Sequence, residues 1–108
     1  MFGTTNYAQV DIWHRIPCPS FRSGEAQEGV VWYGSSRDRL ISRDARAEYP
    51  TSSRYSFSSD SGLIIKGIVE GDEGRYFCKV IPSNIDSREE GIYINVIGKE
   101  ISSHFRKA

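Results

Sequence analysis

Apolar side chains return at alternate positions along most of this chain, in short stretches separated by breaks rich in glycine, serine and aspartate. That period belongs to strands with one buried face. Over residues 10–18, Val10, Ile12, His14, Ile16 and Cys18 fall on one face and Asp11, Trp13, Arg15 and Pro17 on the other, which predicts a strand ending at the cysteine. Residues 20–29 read as a loop, and Val30-Val31-Trp32-Tyr33 as a second strand stopped by Gly34. Residues 35–53 are polar around Leu40-Ile41 and predict one short edge strand. Arg54-Tyr55-Ser56-Phe57, a turn over 58–62 and the inward set Leu63, Ile65 and Ile68 predict a hairpin and the bend after it. After a turn over 70–74, Tyr76, Cys78 and Val80 share one face, while Arg75, Phe77, Lys79 and Ile81 share the other. Residues 82–90 are expected as a polar loop, and Ile92, Ile94 and Val96 as the last strand before a charged tail. The sum is an all-β, two-sheet sandwich.

Composition sharpens this picture. The 108 residues leave room for one core, so a single domain is expected over 1–99, with 100–108 as a tail or the start of a linker. Eighteen apolar residues are Ile or Val and three are Leu or Met, a bias toward side chains that suit a pleated surface. Fourteen basic residues balance fourteen acidic ones, so no overall field draws the chain to nucleic acid or to an anionic membrane. No apolar run is long enough to span a bilayer. The N-terminus lacks a secretory signature, which leaves a cytosolic protein or a piece of a longer precursor.

Candidate chemistry is sparse. Cys18 and Cys78 lie 60 positions apart without the neighbours that a CxxC or zinc site needs. They are either two free buried thiols or one bridge, whose loop closure is worth roughly 4 kcal/mol in the chain-entropy model. His14 and His104 have no companion nucleophile, so no catalytic residue is assigned and no enzyme is expected. His14 is read as structural. The acidic runs 70–73 and 89–90 lack ligand spacing, so no metal and no cofactor are expected. Arg37, Arg39, Arg43 and Arg46 are interleaved with Asp38 and Asp44, and read as a solvated sheet edge rather than an anion site.

The order Cys18, Trp32 fourteen residues on, then Asp72-Glu-Gly74-Arg-Tyr76-Phe-Cys78 resembles the immunoglobulin superfamily, specifically its variable-type (V-set) domains. The resemblance covers about residues 7–99 and implies a Greek-key sandwich, with the I-set as the nearest other form. It implies a Cys18–Cys78 disulfide between the sheets, Trp32 packed against it, a Tyr76 hydroxyl bonded to backbone, and an Arg54–Asp72 salt bridge at the base. It also implies ligand-reading loops over 21–28, 44–51 and 82–90, with Phe21, Ile85, Arg22 and Arg88 as candidates and Phe21 alternatively a core anchor. Two features depart from paired antigen receptors. Arg88-Glu89-Glu90-Gly91 stands where the joining segment has Phe-Gly-x-Gly, and Ser35 stands at a glutamine position.

Alternation places Val31, Tyr33, Phe77, Lys79 and Tyr93 on one outward face, a candidate interface. The implied function is a recognition ectodomain of a cell-surface or secreted immune-type receptor, extracellular, binding a protein partner or itself as a homodimer. A non-rearranging or invertebrate-type receptor fits equally well. The other implied role is a structural spacer or adhesion module.

Overall fold

A computed structural model describes residues 4–9 and 12–97. Nine strands occur among them: β1 Thr4–Gln9, β2 His14–Ile16, β3 Gln27–Tyr33, β4 Arg39–Arg43, β5 Glu48–Pro50, β6 Tyr55–Phe57, β7 Leu63–Ile65, β8 Gly74–Pro82 and β9 Arg88–Ile97. One 3₁₀ turn covers Glu70–Asp72. A six-stranded sheet runs β1-β9-β8-β3-β4-β5 and a three-stranded sheet β2-β7-β6. All described pairings are antiparallel except β1 on β9.

The inward positions of both sheets meet in one core. Ile16, Leu63 and Ile65 come from the small sheet, and Val30, Trp32, Ile41, Cys78, Val80, Ile92 and Ile94 from the large one. Ile68 closes it from the bend after β7. The sheets are joined by the Cys18–Cys78 disulfide, with 5.6 Å between Cα atoms. The open alternative of free thiols is thereby settled, and a bridge of this kind belongs to oxidising compartments.

Several boundaries differ from the sequence reading. Only His14–Ile16 of the first expected strand pairs, and Ile12, placed inward by alternation, is half exposed. Val10, Asp11, His104 and the whole tail from residue 98 lie outside the described residues. The polar stretch 35–53 holds two strands, not one, and β4 is internal because β5 pairs beyond it. The loop expected over 82–90 shrinks to 83–87. Pro82 can end β8 opposite Gln27 because a strand terminus tolerates a missing N–H, and Arg88 already pairs with Val80.

Candidate functional site

Register, not sequence distance, assembles the exposed face of the large sheet. Residues paired across strands point to the same side, so one row crosses β9, β8, β3 and β4 as Gly91, Phe77, Tyr33 and Arg39. The next row runs Glu89, Lys79, Val31, Ser42 and Tyr49. On the other side of the first row, Tyr93 stands opposite Arg75. The structure thus brings Val31, Tyr33, Phe77, Lys79 and Tyr93 together on one surface. Tyr93 is exposed and the other four are half-buried.

Part of that burial has a local cause. The β3–β4 turn is tight: Gly34 accepts from the Arg37 N–H and donates to the Asp38 carbonyl, both at 2.9 Å. Arg37 takes φ 65°, a conformation that costs a residue with a Cβ. Its guanidinium lies 4.3 Å from the Phe77 ring centroid and 5.4 Å from that of Tyr33. Nη1 reaches Glu89 Oε2 at 2.6 Å. Below the cation, the Phe77 ring rests on Gly91, where a Cβ would come within 3.2 Å of it. The aromatics that alternation leaves facing solvent are therefore roofed by an arginine.

The four arginines read as one edge cluster have separate duties. Besides Arg37 on the face, Arg39 donates to Ser42 Oγ at 3.1 Å and to the Tyr49 carbonyl. Arg43 reaches Ser61 Oγ and lies 4.8 Å from the Phe57 ring. The Arg46 backbone N–H is received by Asp44 in the β4–β5 turn at 2.8 Å. Proximity in sequence is undone by the length of β4 and the turns at its two ends.

The base of the sandwich is closed upon itself. Arg54 donates to both Asp72 oxygens, at 3.2 and 2.6 Å, and to the carbonyls of Lys66 and Gly67. Asp72 also accepts from the Val69 N–H at 2.9 Å. The hydrogen bond to Asp72 is the main reason the Arg54 guanidinium holds its proton more tightly than usual. Tyr76 donates its hydroxyl to the Asp72 carbonyl at 2.6 Å, and burial pushes its pKa up. Trp32 is fully buried, and its indole N–H donates to the Ser61 carbonyl at 3.0 Å.

At the opposite end, the expected ligand residues separate. Ile85 is exposed at the tip of the β8–β9 hairpin and Arg22 is exposed, whereas Phe21 packs against the core as an anchor. Arg88, the other charged candidate of these loops, is held by two partners. It donates to both Glu25 oxygens, at 3.0 and 2.6 Å, and to the Ser20 carbonyl at 2.6 Å. That bidentate pair holds the Glu25 carboxyl below its ordinary range, chiefly through the hydrogen bond from Arg88. His14 is half-buried, and desolvation followed by the charge of Arg15 lowers its pKa.

Sequence reasoning missed Glu25, Glu89, Ser61 and the roof formed by Arg37. Glu25 and Arg88 are 63 residues apart, and no pattern along the chain joins them. Ser35 had a partial signal: its hydroxyl donates to the Arg75 carbonyl at 2.9 Å, in space that Gly74, at φ 150°, leaves open. Among the described residues no three His, Cys, Asp or Glu side chains converge as a metal site would require.

No protein-family model matches the chain, and no curated protein matches it in sequence. Solved structures do. The first immunoglobulin-like domain of human CD48 superposes with a TM-score of 0.79 at 12% identity, over 90% of this chain and 84% of that one. Tim-2 gives 0.72 at 20% identity, over 89% and 93%. The first immunoglobulin domain of Dpr11, solved bound to DIP-gamma, gives 0.67 at 21% identity, over 87% and 98%.

Proposed function

We propose, from the immunoglobulin V-type fold that these likenesses show for this chain, that it is a recognition domain of an immune-type receptor, on the cell surface or secreted. It works outside the cell, a reading that its disulfide supports. It binds a protein partner, without catalysis, through the exposed face of the six-stranded sheet. The observation that carries this reading is the contiguous set of Val31, Tyr33, Phe77 and Tyr93, aromatic and apolar groups aligned by register on a face that no other element covers among the described residues. Such groups are what an interface buries, and rigid aromatics lose little rotamer freedom there. Dpr11 in its complex with DIP-gamma is an example of this fold engaged by a protein.

Two copies meeting face to face, as a homodimer, would be the simplest use of this surface. The charges around Phe77 favour a different protein. The test is staining of intact cells with tetramers of the domain. Wild type is expected to stain, and Phe77→Asp and Tyr33→Arg to lose staining with unchanged melting temperatures. Staining that survives both but falls with Arg22→Glu and Ile85→Asp would move recognition to the loop end.

A further inference from the structure

We infer that the protein partner meeting this face is acidic, and that the pairing is between unlike surfaces rather than between two copies of this chain. The inference rests on the sheet-face reading and adds the chemistry of the occupant. The whole chain has no net charge, but its formal charges are unevenly placed. On the rows around Phe77 stand Arg39, Arg75 and Lys79, with Arg37 stacked over Phe77 from the β3–β4 turn, and the carboxylate within these rows is that of Glu89. Glu89 is already bonded to Arg37. Arg39 spends its described hydrogen bonds on neutral acceptors, Ser42 and the Tyr49 carbonyl, and Arg75 enters no described ion pair. Of the acids bordering these rows, Asp44 beside Tyr49 is engaged by the Arg46 and Ala47 N–H groups, Asp38 lies in the cleft with Gly34, Tyr55 and Tyr76, and Glu28 and Asp86 line the groove under the β8–β9 hairpin with Lys79 and Ile81.

Geometry gives the cations a shared task. Arg37 is fixed at the centre, stacked on Phe77 and Tyr33, by a backbone conformation that a glycine would adopt more cheaply. A guanidinium held flat on rings keeps donor edges pointed outward and loses little freedom when a carboxylate arrives. Arg39 lies beside Tyr33 on one flank, and Arg75 lies one row away toward Tyr93. A two-fold axis through Phe77 would set Arg37 against its own copy, and like charges brought into a drying interface oppose association. Carboxylates on the opposing surface would instead meet three guanidinia around an aromatic centre. A sulfated glycan would satisfy the cations but would leave Phe77, Tyr33 and Tyr93 without an apolar partner, so a protein is the better match.

The experiment selects binders from random peptide libraries displayed on phage, using the folded domain, and pairs this with sedimentation of the domain alone. Enriched peptides are expected to combine Asp or Glu with an apolar residue. Their affinity should fall roughly tenfold between about 50 and 500 mM NaCl, and by a similar factor in Arg39→Ser/Arg75→Ser, whose melting temperature should match wild type. The domain alone should sediment as a monomer at high micromolar concentration. Peptides lost on Phe77→Asp but indifferent to salt and to the arginine variant would leave the face and overturn the acidic partner. Binders insensitive to Phe77→Asp would overturn the face itself. Failure to enrich acidic sequences, a wild-type dimer broken by Phe77→Asp, or retention on heparin unaffected by Phe77→Asp would each overturn the inference.

Discussion

Two arginine–carboxylate pairs, built from the same parts, sit at different places in this sandwich. Arg54 and Asp72 lie at the base, and Arg37 and Glu89 on the open sheet face. Each has a 2.6 Å contact and each arginine lies over an aromatic ring, Tyr55 in one case and Phe77 with Tyr33 in the other. Their surroundings separate them. Asp72 is almost fully buried and receives a backbone N–H besides, and Arg54 also ties down two carbonyls. Arg37 is about half exposed, touches one carboxylate oxygen, and among the described residues its side chain bonds no carbonyl. Burial turns the first pair into a fastening between the residue just before β6 and the 3₁₀ turn before β8. Exposure leaves the second with donors to spare, which is what recognition needs.

The sharpest way to break this contrast is at the base. Asp72→Ala removes the carboxylate but leaves Arg54 facing two carbonyls and the Tyr76 hydroxyl bond intact. Truncating one partner of a buried pair is costly, but Arg54 retains one-third of its exposure and part of its hydration. About 2 kcal/mol of stability should be lost, read as a lower urea midpoint with unchanged slope. A loss too small to resolve would reduce the base to an ordinary surface pair.

What the sequence could reveal follows the same division. Strands β3, β8 and β9 were legible because one of their faces is buried, so alternation is enforced by packing. Strand β5, with all three residues exposed, has no such constraint, and β1 adds to an edge of the sheet through parallel backbone pairing. The Cys18, Trp32 and Tyr76 set was visible because its members occupy fixed places in one core. The placement of Arg37 was not, because it depends on a single left-handed residue in a turn whose composition, Gly-Ser-Ser-Arg, suits many conformations. The Glu25–Arg88 pair was hidden by its 63-residue separation.

That pair sharpens the contrast as an intermediate case, since both side chains are mostly covered yet sit among loops at the end opposite the base. The Glu25 carboxyl is held below its ordinary range, chiefly by the hydrogen bond from Arg88. A group whose folded pKa lies below its unfolded one stabilises the fold above the unfolded value and loses that contribution as pH falls through the folded value. Wild type should therefore lose stability as pH drops below about 4.5 more steeply than Glu25→Gln, which has no proton to take up there. The difference should be smaller than the effect of Asp72→Ala at neutral pH. Carbon-detected NMR titration of Glu25, with a midpoint at or above that of a peptide containing it, would remove the pair as a linkage site.

The smallest effect on stability is expected where the effect on binding should be largest. Arg37→Gly removes the stacked guanidinium and its contact with Glu89, both solvent-exposed, and replaces a strained left-handed residue by the one that adopts φ 65° without cost. The denaturation midpoint should equal or exceed that of wild type. The aromatic resonances of Phe77 and Tyr33 should shift as their rings lose the cation above them, which shows that the substitution reached the face although the fold did not weaken. Acidic peptides selected on wild type should bind this variant poorly. A midpoint lowered as far as by Asp72→Ala would instead make Arg37 a fastening like Arg54, and the two pairs would differ in exposure but not in what they do.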